Sequence, residues 1–543
     1  MTNGADVQVV RDFRRALRRK RLTNVHWVDA IYRVYVTALI GGVAVLYIGD
    51  SIGDAPVRGD ALETVTQRGP AWVGIAAAAA IAIGLRSGSR GGPLALERTD
   101  IRHLLLAPVD RGAALRGPAL HQLRFALFVA AVVGAAAGEL ASHRLPGEQP
   151  AWIASGAVFG LTTAALGYGI AFLASGLRLR PWIATGLAII VLGWSVADAA
   201  DVLPSRFPAS PTRWIGDIGL WPFDFQPIEL LALVGAAGLL AVGILRVGNV
   251  SLESAERRST LVGQLRFAAT LQDVRTVIVL RRQLALEMPR VRPWIRVKAR
   301  PRDRLPVWTR GWRGVLRWPA PRIGRLILAA IVAGLCMRAV WDGTTPLIVV
   351  AGLALYIAGL EAVEPLAQEI DHPSRRDAVP VDSGPLHLRH VPVAVAVLLP
   401  VGTVAGAAAV LVDPSTVAVE VAAVALIPAA LGAAASGLVS TIKGAPDPNE
   451  DQALLPPEAA GPRLAFRTAF PPALAVFGLL PVLLGRFATD NGRSPVEGTA
   501  EAVFLVVAVF ALVCAWVRYR EEMRRSLQEQ MRSQSRAREA GGG

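Results

Sequence analysis

Residues 391–412 read VPVAVAVLLPVGTVAGAAAVLV, and after Asp413-Pro-Ser415 the chain resumes as TVAVEVAAVALIPAALGAAASGLVS over 416–440. The first run has no charged residue and the second has only Glu420. Each is long enough to cross a bilayer core, which takes roughly 20 apolar residues in a helix. Ala151–Ser175 is a third run of the same kind. Working outward from these gives about twelve, near 28–48, 70–86, 119–140, 151–175, 181–200 and 228–246, then 323–341, 346–363, 391–412, 416–440, 465–485 and 500–517. Lipid offers no water to an unpaired backbone group, so each is read as a helix. Composition agrees: the 543 residues are 53% hydrophobic and 18% charged, where a soluble chain carries about 25% charge. Mean hydropathy is +0.43. The expected fold is all-α and polytopic, with about 12 transmembrane helices in two pseudo-repeated six-helix halves.

Charge sets the expected orientation, because Lys and Arg favour the cytoplasmic side. Residues 1–27 hold Arg11, Arg14, Arg15, Arg18, Arg19, Lys20 and Arg21, and lack the pattern of a cleaved leader. The next loop carries Asp50, Asp54, Asp60 and Glu63 against two arginines, and the one after returns to Arg90, Arg98, Arg102, Arg111 and Arg116. The alternation continues through basic segment 247–322, through loops 342–345 and 413–415 without Lys or Arg, and into a tail with Arg518, Arg520, Arg524 and Arg525. Arg144, Arg206, Arg213 and Arg493 are exceptions on the outer side. Both termini are therefore expected inside. The expected organisation is a basic elbow segment 1–27, a first half 28–246, a linker 247–322, a second half 323–517 and a tail 518–543. The net charge of +15 is read as basic loops against anionic lipid rather than nucleic acid. Cys336 and Cys514 lie inside apolar runs, which argues against a disulfide framework or a thiolate metal site.

The halves carry an internal echo. Pro93-Leu-Ala-Leu-Glu97 and Pro108-Val-Asp110-Arg-Gly112 recur as Pro365-Leu-Ala-Gln-Glu369 and Pro380-Val-Asp382-Ser-Gly384. Both recur at one offset, 272 residues, and eight of the twenty aligned positions are identical. Matched spacing at matched positions in the topology reads as a duplication, which is common among transporters. A weaker echo links Arg11-Asp12-Phe13-Arg14 with Gln272-Asp273-Val274-Arg275. In 305–318, Leu305, Trp308, Trp312 and Val315 share a helical face while Arg304, Arg310, Arg313 and Arg317 spread over the others. Such a segment suits the membrane interface, either as a topogenic anchor or as an elbow helix leading into a moving bundle.

These features resemble exporter permeases of the ABC-2 type. Leu104-Leu-Leu-Ala-Pro108-Val-Asp110-Arg111 is similar to their "LL-x-x-P-V-[ST]-R" segment, with Asp110 in place of Ser or Thr; the second copy has neither the Leu run nor the Arg. The Ala, Arg and Gly richness is also similar to large exporter permeases of high-GC actinobacteria. The resemblance covers most of the chain by topology and about forty residues by motif. It implies a bacterial inner-membrane subunit with a coupling helix in each repeated loop, docked on a cytoplasmic ATPase present in two copies. The implied coupling residues are Arg102, Leu104, Leu105, Pro108, Asp110 and Arg111 in the first copy. In the second they are Glu369, Arg375, Arg376, Pro380 and Asp382. An ordinary tight loop is the plainer reading. The chain has no Gly-Lys dipeptide, so no phosphate-binding loop, and no LSGGQ-like signature. No cofactor is expected on this chain; ATP with Mg is expected on the partner. The Ala, Val and Leu-rich spans suit a hydrophobic or amphipathic small molecule as cargo.

Other polar residues have plainer roles beside that reading. Asp29 and Arg33 are spaced as a helical pair. Asp198 and Asp201 end the fifth span, where a solvated boundary is the plain reading and a catalytic or proton site the sharper one. Glu361 and Glu364 precede the second motif and are assigned to its loop. His387 and His390, as His-x-x-His with few carboxylates, make a poor metal site. Segment 201–227, with Trp214, Ile218 and Trp221 among prolines and glycines, has the ingredients of a re-entrant loop. A secondary transporter and a polytopic enzyme, such as a lipid-linked sugar transferase using Asp50, Asp54, Asp198 and Asp201, stand as alternatives.

Overall fold

In the computed structural model the described residues are 57–94, 96, 110–202, 207–250, 256, 292–296, 305–371, 382–443 and 469–540. Every regular element among them is helical. Among the described residues nine helices are long and apolar enough to cross a membrane, or eleven if each of two bent pairs is one span. The chain is thus an all-helical, multi-pass membrane protein. These eleven match the expected runs from 70–86 onward; the run at 28–48 lies outside the described residues. The chain divides into two compact units, Met1–Arg266 and Phe267–Gly543.

The first unit contains α1 (Asp60–Gly88), α2 (Arg111–Ser142), α3 (Gln149–Gly176), α4 (Pro181–Ala199), the short α5 (Arg213–Gly219) and α6 (Leu230–Leu245). Local chemistry sets their starts. Asp60 and Glu63 lie in the first turn of α1, where the helix dipole favours negative charge. Proline stands at the first or second position of α3 and α4, where its missing N–H costs nothing. α3 is the hub, packing against α1, α2, α5 and α6. Its crossing with α2 is backbone to backbone: Gly134 and Gly138 face Gly156 and Trp152, and a methyl group on any of these glycines would strike a carbonyl opposite. Because helix association in lipid relies on close packing, small residues at the crossing let the two axes approach.

The second unit contains α7 (Pro306–Val315), α8 (Ala320–Trp341), α9 (Leu347–Ala362), α10 (Glu364–Asp371), α11 (Ser383–Leu388), α12 (Val391–Val412) and α13 (Thr416–Lys443). It ends with α14 (Ala469–Phe477), α15 (Leu480–Asp490) and α16 (Pro495–Ala540). Two spans are broken: α9 and α10 meet at 57°, and α14 and α15 at 48°. The second break is at Gly478, whose Cα faces Gly432 of α13. The hub here is α13, against α9, α12 and α16. One core of Ala, Val and Leu runs through the unit, including Leu355, Leu398 and Leu438. The tail expected from residue 518 is helical to Ala540 and continuous with the last span.

Candidate functional site

The repeated motif builds a comparable piece of structure in each unit. In the first, Asp110 is the N-cap of α2; its carboxylate accepts hydrogen bonds from the backbone N–H of Gly112 (3.0 Å) and Ala113 (3.3 Å). This satisfies amides that have no partner within the helix. Gly112 then packs on Gly248, just beyond α6, so closely that a Cβ on Gly248 would lie 2.8 Å from the Gly112 Cα. Leu94 and Leu96 are buried with Leu115, Phe172 and Val247, and the Pro93 carbonyl accepts a hydrogen bond from Gln122 at 2.8 Å.

In the second unit Asp382 stands at the N-cap of α11, without a side-chain bond to the helix. Gly384 packs on the backbone of α16, where a methyl group would strike the Arg518 carbonyl. Leu366, the counterpart of Leu94, is also buried. In both units, then, the Asp begins the helix leading into the span that follows the motif. The Gly two residues later rests against the C-terminal end of the last described span of its unit.

Of the expected coupling residues, Asp110, Arg111, Glu369 and Asp382 are described. Arg102, Leu104, Leu105, Pro108, Arg375, Arg376 and Pro380 lie outside the described residues, as do Asp29 and Arg33. Arg111 and Asp382 are exposed. Glu369 is only 2% exposed and pairs at 3.2 Å with Arg310 of α7. That pair ties the amphipathic helix to the bent end of the α9–α10 span. Gly311 of α7 fits against Val393 of α12, and the Trp294 backbone N–H and Nε1–H donate to the carbonyls of Leu316 and Trp318.

Beside this lies an ion network that the sequence reading passed over. Arg322, 7% exposed in the first turn of α8, pairs with Glu361 at 2.6 Å and with Glu364, and its guanidinium stacks on Trp318 at 4.0 Å. Arg325 joins Glu361 at 3.0 Å. Glu361 and Glu364 thus serve the junction of α8, α9 and α10. The legible signal was a basic residue opening one apolar run and two acids closing the next, which antiparallel helices bring to the same level. His387 and His390 are buried where α11 meets α12, and neither Nδ1 of His390 nor Oγ of Ser383 has a hydrogen-bond partner among the described residues. Among the described residues no group of three His, Cys, Asp or Glu could hold a metal ion.

The two acids at the end of α4 behave differently from one another. Asp201 is exposed and pairs with Arg68 at 3.1 Å. Asp198 is half-buried instead: it accepts the Ser210 backbone N–H at 3.0 Å and lies 4.0 Å from Arg213. With the Ser195, Ser210 and Thr212 hydroxyls, mutually bonded at 2.6–3.4 Å, it folds the 207–212 segment back onto α4. α5 follows, packed on α1 and α3 with Ile215 and Ile218 buried. This leaves a polar cavity of about 280 Å³ lined by Thr66, Arg213, Asp217, Asp224, Gln226 and Glu229, among others. Trp221 Nε1 donates to Glu229 at 2.5 Å. The Asp217 carboxyl is pushed up to about 6, first by burial and then by the Glu229 charge, with Arg213 opposing and Asp224 adding. No family model, curated protein or solved structure matches the chain.

Proposed function

We propose that this chain is the membrane-spanning subunit of an ABC-2-type exporter in a bacterial inner membrane, with both halves fused and energised by a separate ATPase. The observation that carries the reading is the shared task of the repeated motif. At an offset of 272 residues, Asp110 and Asp382 start a helix, while Gly112 and Gly384 rest against the end of the last span of the half. An internal duplication accounts for this. Force applied to such a loop reaches two spans at once, which suits an ATPase docking point. The tie from Arg310 to Glu369 adds α7 as an elbow, moving with the bent end of α10. Since the chain has no phosphate-binding loop of its own, the energy source is a partner carrying ATP and Mg, two copies per chain, and the cargo is hydrophobic or amphipathic.

The test is affinity purification of the tagged chain in mild detergent, alone and with Pro108, Asp110, Pro380 and Asp382 changed to alanine. A co-purifying ATPase that is lost from a variant still monodisperse on size exclusion is the expected result. A wild-type chain that purifies alone, even after cross-linking, overturns the reading.

One observation favours a second reading, a polytopic membrane enzyme. Asp217, Asp224 and Glu229 converge on a polar cavity, and a carboxyl titrating near neutrality suits general acid–base work. These are not the acids singled out from sequence. Loss of a transferase activity on Asp217→Asn, in a chain without an ATPase, would decide for it.

A further inference from the structure

The second unit encloses a slot that neither the coupling motif nor the ion network uses. It is a cavity of about 90 Å³ between α8, α12, α13 and the α14–α15 pair. Mostly small residues form it in helical register: Gly334 on α8 with Met337 one turn on, Gly402, Ala405 and Ala409 on α12, and Ala418, Ala422, Ala425 and Ala429 on α13. From Ala418 to Ala429 the α13 wall runs about 16 Å at 1.5 Å per residue. The slot is closed at one end, where Leu355, Gly402, Ala425 and Leu479 are buried. Towards the other end its walls, Ala409, Val410, Ala418 and Ala422, become half-exposed. Long, narrow and apolar, it fits an extended alkyl chain held by close packing against these small side chains.

The open end is the only charged part of the lining, and its sign points to a head group. Arg338 and Trp341 stand there, in the last two turns of α8. Arg338 donates through Nε and Nη2 to Asp342 (2.9 and 2.8 Å) and through Nη2 to Asp413 (2.9 Å). One guanidinium against two carboxylates leaves this rim at a net charge of −1. Arg486 nearby is matched by Asp490 at 3.7 Å and donates to the Val340 carbonyl and the Thr345 hydroxyl. Asp342 and Asp413 are the exposed members, with side chains 46% and 63% accessible. A negative rim repels an anionic head and attracts an ammonium.

We propose that this slot binds the alkyl chain of an ammonium-bearing amphiphile, the chain along α13 and the ammonium at Asp413 and Asp342. Two sources share this chemistry, an ethanolamine phospholipid of the bilayer and a free cationic amphiphile. Binding here needs no ATPase, so this proposal and the exporter reading fail separately.

The experiment labels the purified full-length chain with a diazirine-bearing alkyltrimethylammonium probe and maps the adducts. The expected result is adducts concentrated on peptides within 333–341 and 402–429, competed better by dodecyltrimethylammonium than by dodecyl sulfate. Ala422→Phe fills the slot and removes most of that labelling. Asp413→Asn, an exposed change that leaves packing intact, weakens the ammonium preference roughly two- to fivefold, the range for an exposed ion pair. Ethanolamine phospholipid retained stoichiometrically by the wild type and lost in Ala422→Phe identifies the bilayer as the source. Labelling without retained phospholipid identifies a free amphiphile. Adducts spread over all lipid-facing spans, unchanged labelling in both variants, or equal competition by dodecyl sulfate overturns the proposal.

Discussion

Arg322 shows how a single charge is made tolerable in an apolar bundle. A buried guanidinium with no partner is strongly destabilising, yet here it has two carboxylates, Glu361 and Glu364, and the Trp318 ring. Removing one partner leaves charge uncompensated, so Glu364→Ala should cost about 3–5 kcal/mol, read as a large drop in the melting temperature of the detergent-solubilised chain. Changing Arg322, Glu361 and Glu364 together to apolar residues of similar volume should restore much of the loss; equal losses in both variants would mean the pairing is irrelevant. Asp217 titrates in the opposite sense from a paired carboxylate. Its folded pKa, about 6, lies above the ordinary 3.8, so the fold favours the protonated form. That contribution is fully present below about pH 4 and lost as pH rises through 6. Asp217→Asn should therefore raise the melting temperature at pH 7 and leave it little changed at pH 4. At this scale the sequence was readable where a pattern repeats, as at Asp110 and Asp382. Arg322 and Asp198 were not, because their partners come from other helices or a folded-back loop.

Helices were the most legible level, for a physical reason: an apolar run long enough to span lipid has no other way to satisfy its backbone. Eleven of the twelve expected runs coincide with helices or bent pairs, and what was missed is equally physical. α2 begins at Arg111 because the Asp110 cap lies upstream of the apolar run. α16 continues to Ala540 because Arg, Glu, Gln and Met after residue 517 are good helix formers that need no lipid. The break at Val363 falls where the expected run ends, between Glu361 and Glu364, but the one at Gly478 left no mark in hydropathy. Where α2 crosses α3, close approach should make bulk costly. Gly134→Leu is expected to destabilise the first unit by about 1–3 kcal/mol or more, as overpacking does. Gly186→Ala in α4, where nothing lies within 4 Å of an added methyl, should be neutral or gain about 0.5–1 kcal/mol of helix propensity. Thermal stability by fluorescence-detected size exclusion separates the two, and a Gly134→Leu variant as stable as wild type would contradict the crossing.

At the scale of the molecule, each unit builds its own core around a hub helix, α3 in one and α13 in the other, and each presents one copy of the motif. On the exporter reading, which acids and loops serve function follows from a partner, and a partner is written in sequence only as short docking motifs. That is why the fold was far more legible than the site. The exporter account demands two docking points on one chain. Native mass spectrometry of the complex purified with its ATPase tests this most directly, using the wild type, an Asp110→Ala, Pro108→Ala variant and the matching Asp382→Ala, Pro380→Ala variant. The account predicts two ATPase copies on the wild-type chain and fewer on either variant, which keeps its own monodispersity. A wild-type chain carrying no ATPase, or variants with the full wild-type complement, would contradict it.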